Sequence, residues 1–222
     1  MYKLVKIIIL IMSFSIVIST NANAQFGGLL KKQGGADVGA LANQQAGIVQ
    51  TLVAGFTEYT AGQAQIARAL GLKEEVDKLE SEQDALSSGN VNDKDGIERT
   101  MKISASAQEA IDKKMEEGAV LSAESKAEFS KALPFYARGT ANTISLIPEL
   151  TKWGTSATSA IKGGGMMGAM KIKKTLGTGM FVVSKLPGYL KNAKKSYGSL
   201  IAFSKKNEID TSEAETLLGD DI

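Results

Sequence analysis

The stretch ADVGALANQQAGIVQTLVAGFTEYTAGQAQIARAL, residues 36–70, carries the pattern from which the architecture is read. Within it Val38, Leu41, Ile48, Leu52, Phe56, Tyr59, Ala67 and Leu70 recur roughly three or four apart, with Ala, Gln and Thr between them. That is the period of a helix burying one face, and no run alternates as a half-buried strand must. A straight helix of this span is about 50 Å long at 1.5 Å per residue, so the molecule is either elongated or bent at Gly55 and Gly62. Gly71 then offers a C-cap.

Beyond Gly71 the helical pattern resumes. Leu72, Val76, Leu79, Gln83 and Leu86 are spaced 4-3-4-3, and after the turn-like SSGNVNDKDG (87–96) so are Ile97, Met101, Ser104, Gln108, Ile111 and Met115. The apolar members Leu72, Val76, Leu79, Leu86, Ile97, Met101, Ile111 and Met115 are expected to form an exposed partner-helix face. Ser122 opens a further helix with Glu124 in its first turn, and Pro134 and Pro148 divide the chain from there into helices over 122–133, 134–147 and 148–162. Gly163, Gly164 and Gly165 read as a hinge leading to a basic amphipathic segment, 163–206, a helical hairpin or a helix kinked at Pro187. The acidic tail, 207–222, is expected to be mostly disordered. The fold class is therefore all-α: an elongated bundle of about five to seven helices, with heptad-like N-terminal helices over 36–117 and residues 36–162 as its body.

The N-terminus reads as an export signal. Lys3 and Lys6 precede an apolar run from Ile7 to Ser19, and Ala22-Asn23-Ala24 is a small-x-small cleavage site. The apolar run is shorter than the ~20 residues that span a bilayer, so removal of residues 1–24 is expected rather than retention as an anchor. Residues 25–35 (QFGGLLKKQGG) form a flexible lead-in, and the mature protein is placed in the periplasm or outside the cell.

Composition excludes most catalytic chemistry. The 222 residues contain no His and no Cys, so no thiolate or imidazole metal cage, no Ser-His-Asp triad and no Cys-His pair can be built. Gly163-x-Gly165-x-x-Gly168 matches a dinucleotide fingerprint only as a string, because a helix precedes it and position 188 is Gly where an acid should hold the ribose. Ser159-x-x-Lys162 lacks the strand and the Lys-Thr-Gly element its chemistry needs, and Asp93-x-Asp95-Gly96 lacks the closing Glu of a calcium loop. The acids Glu74, Glu75, Asp77, Glu80, Glu82 and Asp84 read as a solvated helix face. No cofactor is implied.

Charge is sorted along the chain. Residues 58–132 carry 10 bases against 16 acids, residues 138–206 carry 12 bases against one acid, and the tail has six acids and no base. The basic block either pairs with the acidic helices or faces an anionic surface, for which Lys171, Lys173, Lys174, Lys185, Lys191, Lys194 and Lys195 are the contact candidates. Export argues against nucleic acid, although Phe181, Tyr189, Tyr197 and Phe203 lie among the lysines. The expectation is an exported, non-enzymatic helical protein that binds a protein partner or itself in the cell envelope; the alternative is a membrane-active protein working through residues 163–206. Intact-mass measurement on protein from the envelope of expressing cells should find Gln25 as the first residue, and a mass retaining residues 1–24 would remove the export reading.

Overall fold

The computed structural model describes residues 37–218; the export signal, its cleavage site and the lead-in lie outside them. The described chain is helical and contains no strand: α1 (Val38–Ala69), α2 (Lys73–Ser87), α3 (Lys94–Glu116), α4 (Ala123–Ser145), α5 (Ile147–Gly163), α6 (Gly165–Thr175), α7 (Gly177–Lys206) and α8 (Ser212–Leu218).

Local chemistry sets the ends. The Asp37 carboxylate accepts from the Gly39 and Ala40 amides at 2.9 and 3.2 Å, Asp93 caps α3 through Gly96 N at 2.8 Å, and Ser122 Oγ caps α4 through Ser125 N at 3.1 Å. At the other ends, Gly71 (φ 75°) and Gly118 (φ 77°) take the left-handed conformation that L side chains resist. The chain then turns back so that Leu72 N reaches Ala67 O at 2.9 Å and Ala119 N reaches Lys114 O at 3.4 Å.

Gly55 and Gly62 do not interrupt α1, which runs unbroken for 32 residues. They mark where α1 crosses α4 with the two backbones in contact. A Cβ on Gly62 would lie 2.5 Å from Tyr136 N, and one on Gly139 would lie 2.4 Å from Tyr59 N and 2.7 Å from Gly55 O. Beside this crossing the Tyr59 and Tyr136 hydroxyls share a 2.6 Å hydrogen bond, and their rings lie 4.4 Å apart. Arg138 pairs with Glu58 at 3.4 Å on the flank.

Two apolar clusters extend from the crossing. One gathers Ile66, Leu70, Ile111, Phe129, Leu133, Leu200 and Phe203; the other gathers Ile48, Leu52, Phe56, Ile97, Leu150, Trp153, Leu176, Val182 and Leu186. Helix α7 contributes to both. Trp153 Nε1 donates to Leu41 O at 2.9 Å, which ties α5 to the first turn of α1.

Several expectations are corrected. Helix α4 continues through Pro134 instead of ending before it, and of the two readings at Pro187 the hairpin gives way to one helix, α7, with Pro187 inside it. Pro134 is enclosed among core residues Phe129, Leu133 and Tyr136, and that packing outweighs the lost amide hydrogen bond. Of the partner-helix face, Val76, Leu79, Leu86, Ile97, Met101, Ile111 and Met115 are buried and Leu72 is half-buried, so this stripe is core and not an open surface. Glu82 also leaves the solvated face: at 3 % exposure it accepts two bonds from Arg99, at 2.9 and 3.3 Å, and one from Thr100 Oγ1 at 2.5 Å. The tail is ordered as far as α8, because Ile209, Ala214 and Leu218 bury themselves against the first cluster.

Substitution at the crossing should be costly where an exposed helical glycine is not. Gly139→Ala forces backbone against backbone and should destabilise by about 3 kcal/mol. Gly47→Ala, on the exposed side of α1 with nothing within 4 Å of its Cβ, should stabilise by about 0.5–1 kcal/mol. Urea unfolding of both variants checks this, and equal shifts would show that the crossing tolerates a methyl group.

Candidate functional site

Among the described residues, helix α6 and a polar cleft between α3 and α7 are open to a ligand. Helix α6 is entered through Gly165 (φ 60°) and buries one side chain, Ile172. Met166, Met167 and Met170 stand 85 %, 74 % and 70 % exposed. Lys171, Lys173 and Lys174 are exposed beside them. Positions 166, 167, 170 and 174 are three or four apart, so they share one side of the helix. The C-terminal end is pinned: Leu176 is fully buried, and Gln45 donates to Thr175 O at 3.2 Å while accepting from Gly179 N at 2.8 Å.

The seven candidate lysines are divided between two helices. Lys171, Lys173 and Lys174 belong to α6, whereas Lys185, Lys191, Lys194 and Lys195 lie along α7. Lys185 is close enough to α3 to help hold Glu98 below the usual carboxylate range, behind the larger effect of the Glu98 bond to Lys102. The glycines at 163–165 likewise do not release residues 163–206 as one body, because α7 carries Val182, Leu186, Leu190 and Leu200 into the core. What they flank on the open side of the molecule is α6. Tyr197 and Phe203 are core residues too, which removes them from any base-stacking surface.

Helices α3 and α7 lie side by side and run in the same direction. Lys94 sits over the Phe181 ring at 5.6 Å, Ser104 Oγ meets Tyr189 OH at 2.8 Å, and Ser196 Oγ donates to Asp112 at 2.9 Å. Between them opens a cleft of about 520 Å³, with Gln108, Asp112, Tyr189, Asn192 and Lys195 on its walls. Its floor is a connected network. Gln63 donates to Gln108 Oε1 and to Ser104 O, both at 3.0 Å, Ser104 Oγ donates to Gln63 Oε1 at 2.6 Å, and Gln108 donates to Asp112 at 2.8 Å. These residues were legible only as a pattern: Ser104 and Gln108 stand on the stripe that otherwise reads Ile97, Met101, Ile111 and Met115. A polar group on a buried stripe demands partners, and Gln63 of α1 and Tyr189 of α7 supply them.

The cleft's phenols are hydrogen-bonding groups and not bases. Burial pushes the Tyr59 and Tyr136 hydroxyls well above their usual value and raises Tyr189 as well. Asp112 is held by two neutral donors, Gln108 and Ser196. Elsewhere, Asp93 serves as a helix cap and Ser159 Oγ donates to Thr155 O at 3.0 Å on an exposed helix side, the roles of ordinary structural residues. No group of three acids able to hold a metal ion occurs among the described residues.

No family model, curated protein or solved structure matches this chain.

The tyrosines give a pH signature. Tyr59, Tyr136 and Tyr189 are raised by burial, and Tyr197 is pushed up to about 12. A phenol whose folded pKa lies above the unfolded value of 10.0 contributes stability that is complete below pH 10.0 and is lost as pH rises toward the folded pKa. In the mature chain, phenolate absorbance should therefore stay flat through pH 10.0 and appear together with loss of helical circular dichroism. A phenolate step at that pH with helicity intact would contradict the enclosure of these rings.

Proposed function

We propose that this chain is an exported, non-enzymatic helical protein of the cell envelope, and that it binds an anionic membrane surface through α6. One observation carries the reading: Met166, Met167 and Met170 are exposed on a short helix whose other exposed side chains include Lys171, Lys173 and Lys174. Exposed apolar side chains flanked by lysines are what an interfacial helix presents to headgroups and acyl chains. Each Lys near an anionic leaflet contributes about 1 kcal/mol at moderate salt, so the three on α6 contribute on the order of 3 kcal/mol before any methionine is buried. No acid occurs between residues 150 and 206, so nothing in that block opposes the attraction. No described helix is long and apolar enough to cross a membrane, which accords with contact at the interface.

The narrower site replaces the whole segment 163–206, because α7 is already committed to the core. The partner-helix face of α2 and α3 is committed in the same way, which weakens the reading in which those helices capture a protein.

Flotation of residues 25–222 with vesicles tests this. Binding should occur with anionic and not with zwitterionic vesicles, weaken as salt rises, and fall at least tenfold in the Lys171→Glu, Lys173→Glu, Lys174→Glu variant. Met166→Ser, Met167→Ser, Met170→Ser should weaken it while leaving its salt dependence. Undiminished binding after the lysine reversals would exclude α6 as the contact.

A further inference from the structure

The C-terminal helix α8 is seated unlike any other element. Ile209, Ala214 and Leu218 enter the cluster formed by Phe129 and Leu133 of α4 and by Tyr197, Leu200 and Phe203 of α7. Its polar ties are few and lie near the surface. Lys205 pairs with Glu215 at 2.6 Å, Thr211 Oγ1 donates to the same carboxylate at 2.7 Å, and Ser130 Oγ donates to Asp210 O at 3.1 Å.

Three defects collect where this helix joins the rest. Glu208, in the turn between α7 and α8, has φ 59°, the one non-glycine residue in the left-handed region among the described residues. Tyr197 OH and Ser204 Oγ, on the part of α7 that contributes to this cluster, are buried with no hydrogen-bond partner. A crevice of about 50 Å³ also remains between α4 and α8, bounded by Ser130, Leu133, Pro134 and Ala214. Lifting α8 would relax the Glu208 backbone and let water reach the two orphaned hydroxyls, so each defect lowers the cost of opening. Opening also bares Phe129, Leu133 and Phe203, a groove that must be covered again.

The occupant whose fit is demonstrated is α8 itself. Its apolar side chains match the groove, and its Glu215 pairs with Lys205 at the basic end of α7. We infer that two copies of this chain exchange α8, each laying its Ile209, Ala214 and Leu218 into the α4–α7 groove of the other. Short hinges under strain invite such exchange, because the swapped dimer keeps every contact of the closed form and the extended hinge sheds the strain. The turn at Asn207 and Glu208 is the hinge. Self-association of this kind is independent of α6 and of lipid.

The Lys205–Glu215 pair supplies the test, since a zero-length carbodiimide joins an amine to a carboxylate only when they touch. Isotopically heavy and light copies of residues 25–222 are mixed at high concentration, cross-linked, and separated by size. In the dimer fraction, Lys205 peptides of one label should be joined to Glu215 peptides of the other in about half of the cross-links, the share expected when partners are drawn at random. The Glu208→Gly variant, which accepts the left-handed turn without strain, should lower the dimer fraction severalfold while keeping helicity. Mixed-label cross-links that fall in this variant support exchange. A dimer carrying only same-label cross-links, or no dimer at any concentration, overturns it.

Discussion

Helices α1 and α4 touch backbone to backbone where Gly55 and Gly62 meet Gly139 and Tyr136, and the other packing decisions depend on how close that approach is. Without Cβ atoms at these positions the helices come near enough for Tyr59 and Tyr136 to share a hydrogen bond at 2.6 Å. Tyr136 in turn reaches Ala193 O at 3.4 Å, so the same ring contact sets the position of α7. Tyr189 of α7 lies 5.4 Å from Phe56 and 5.9 Å from Tyr59, ring to ring. A larger residue at Gly139 would push on all of these at once, because a close-packed interior transmits a displacement instead of absorbing it.

Polar groups then specify the arrangement that apolar burial alone leaves open. Gln63, Ser104, Gln108, Asp112 and Ser196 connect α1, α3 and α7 in one chain of hydrogen bonds. Sliding α3 by one residue would strand several of these groups without partners, at a cost of about 1–3 kcal/mol each. Glu82, enclosed by Arg99 and Thr100, sets α2 against α3 in the same manner. The register of the acidic half is thus held by amides, hydroxyls and the carboxylates of Glu82 and Asp112, while most of its acids remain on the surface.

The sorted charge finds a use on either side of that framework. Helix α3, whose five acids are balanced by five bases, runs alongside basic α7 in the same direction, and Arg138 of the basic block pairs with Glu58 of the acidic one. On α7, Lys185 lies near Glu98 of α3, whereas Lys171, Lys173 and Lys174 on α6 are exposed beside the exposed methionines. At the far end, the acidic tail returns to Lys205 through Glu215.

Short-range chemistry was enough to establish that the described chain is helical, that Gly71 ends α1 and Ser122 opens α4, and which face of α1 is apolar, because period, Ser caps and left-handed glycines act over a few residues. Asp37, Asp93, Ser122, Gly71 and Gly118 do in the structure what their local chemistry requires. The 4-3 stripe of α2 and α3 reads in sequence as an exposed partner face and is core in the structure, since an apolar stripe looks the same to a partner chain and to the chain's own α1. The course of α4 through Pro134, the ordering of α8, and the division of the lysines between α6 and α7 were settled by long-range packing for a related reason. Each depends on neighbours distant in sequence, whose contacts outweigh a local cost of a few kcal/mol. The meaning of Gly55 and Gly62 lay there as well: a glycine in a helix records that something must come close, and only the packed structure shows that it is Tyr136 and Thr143 of α4.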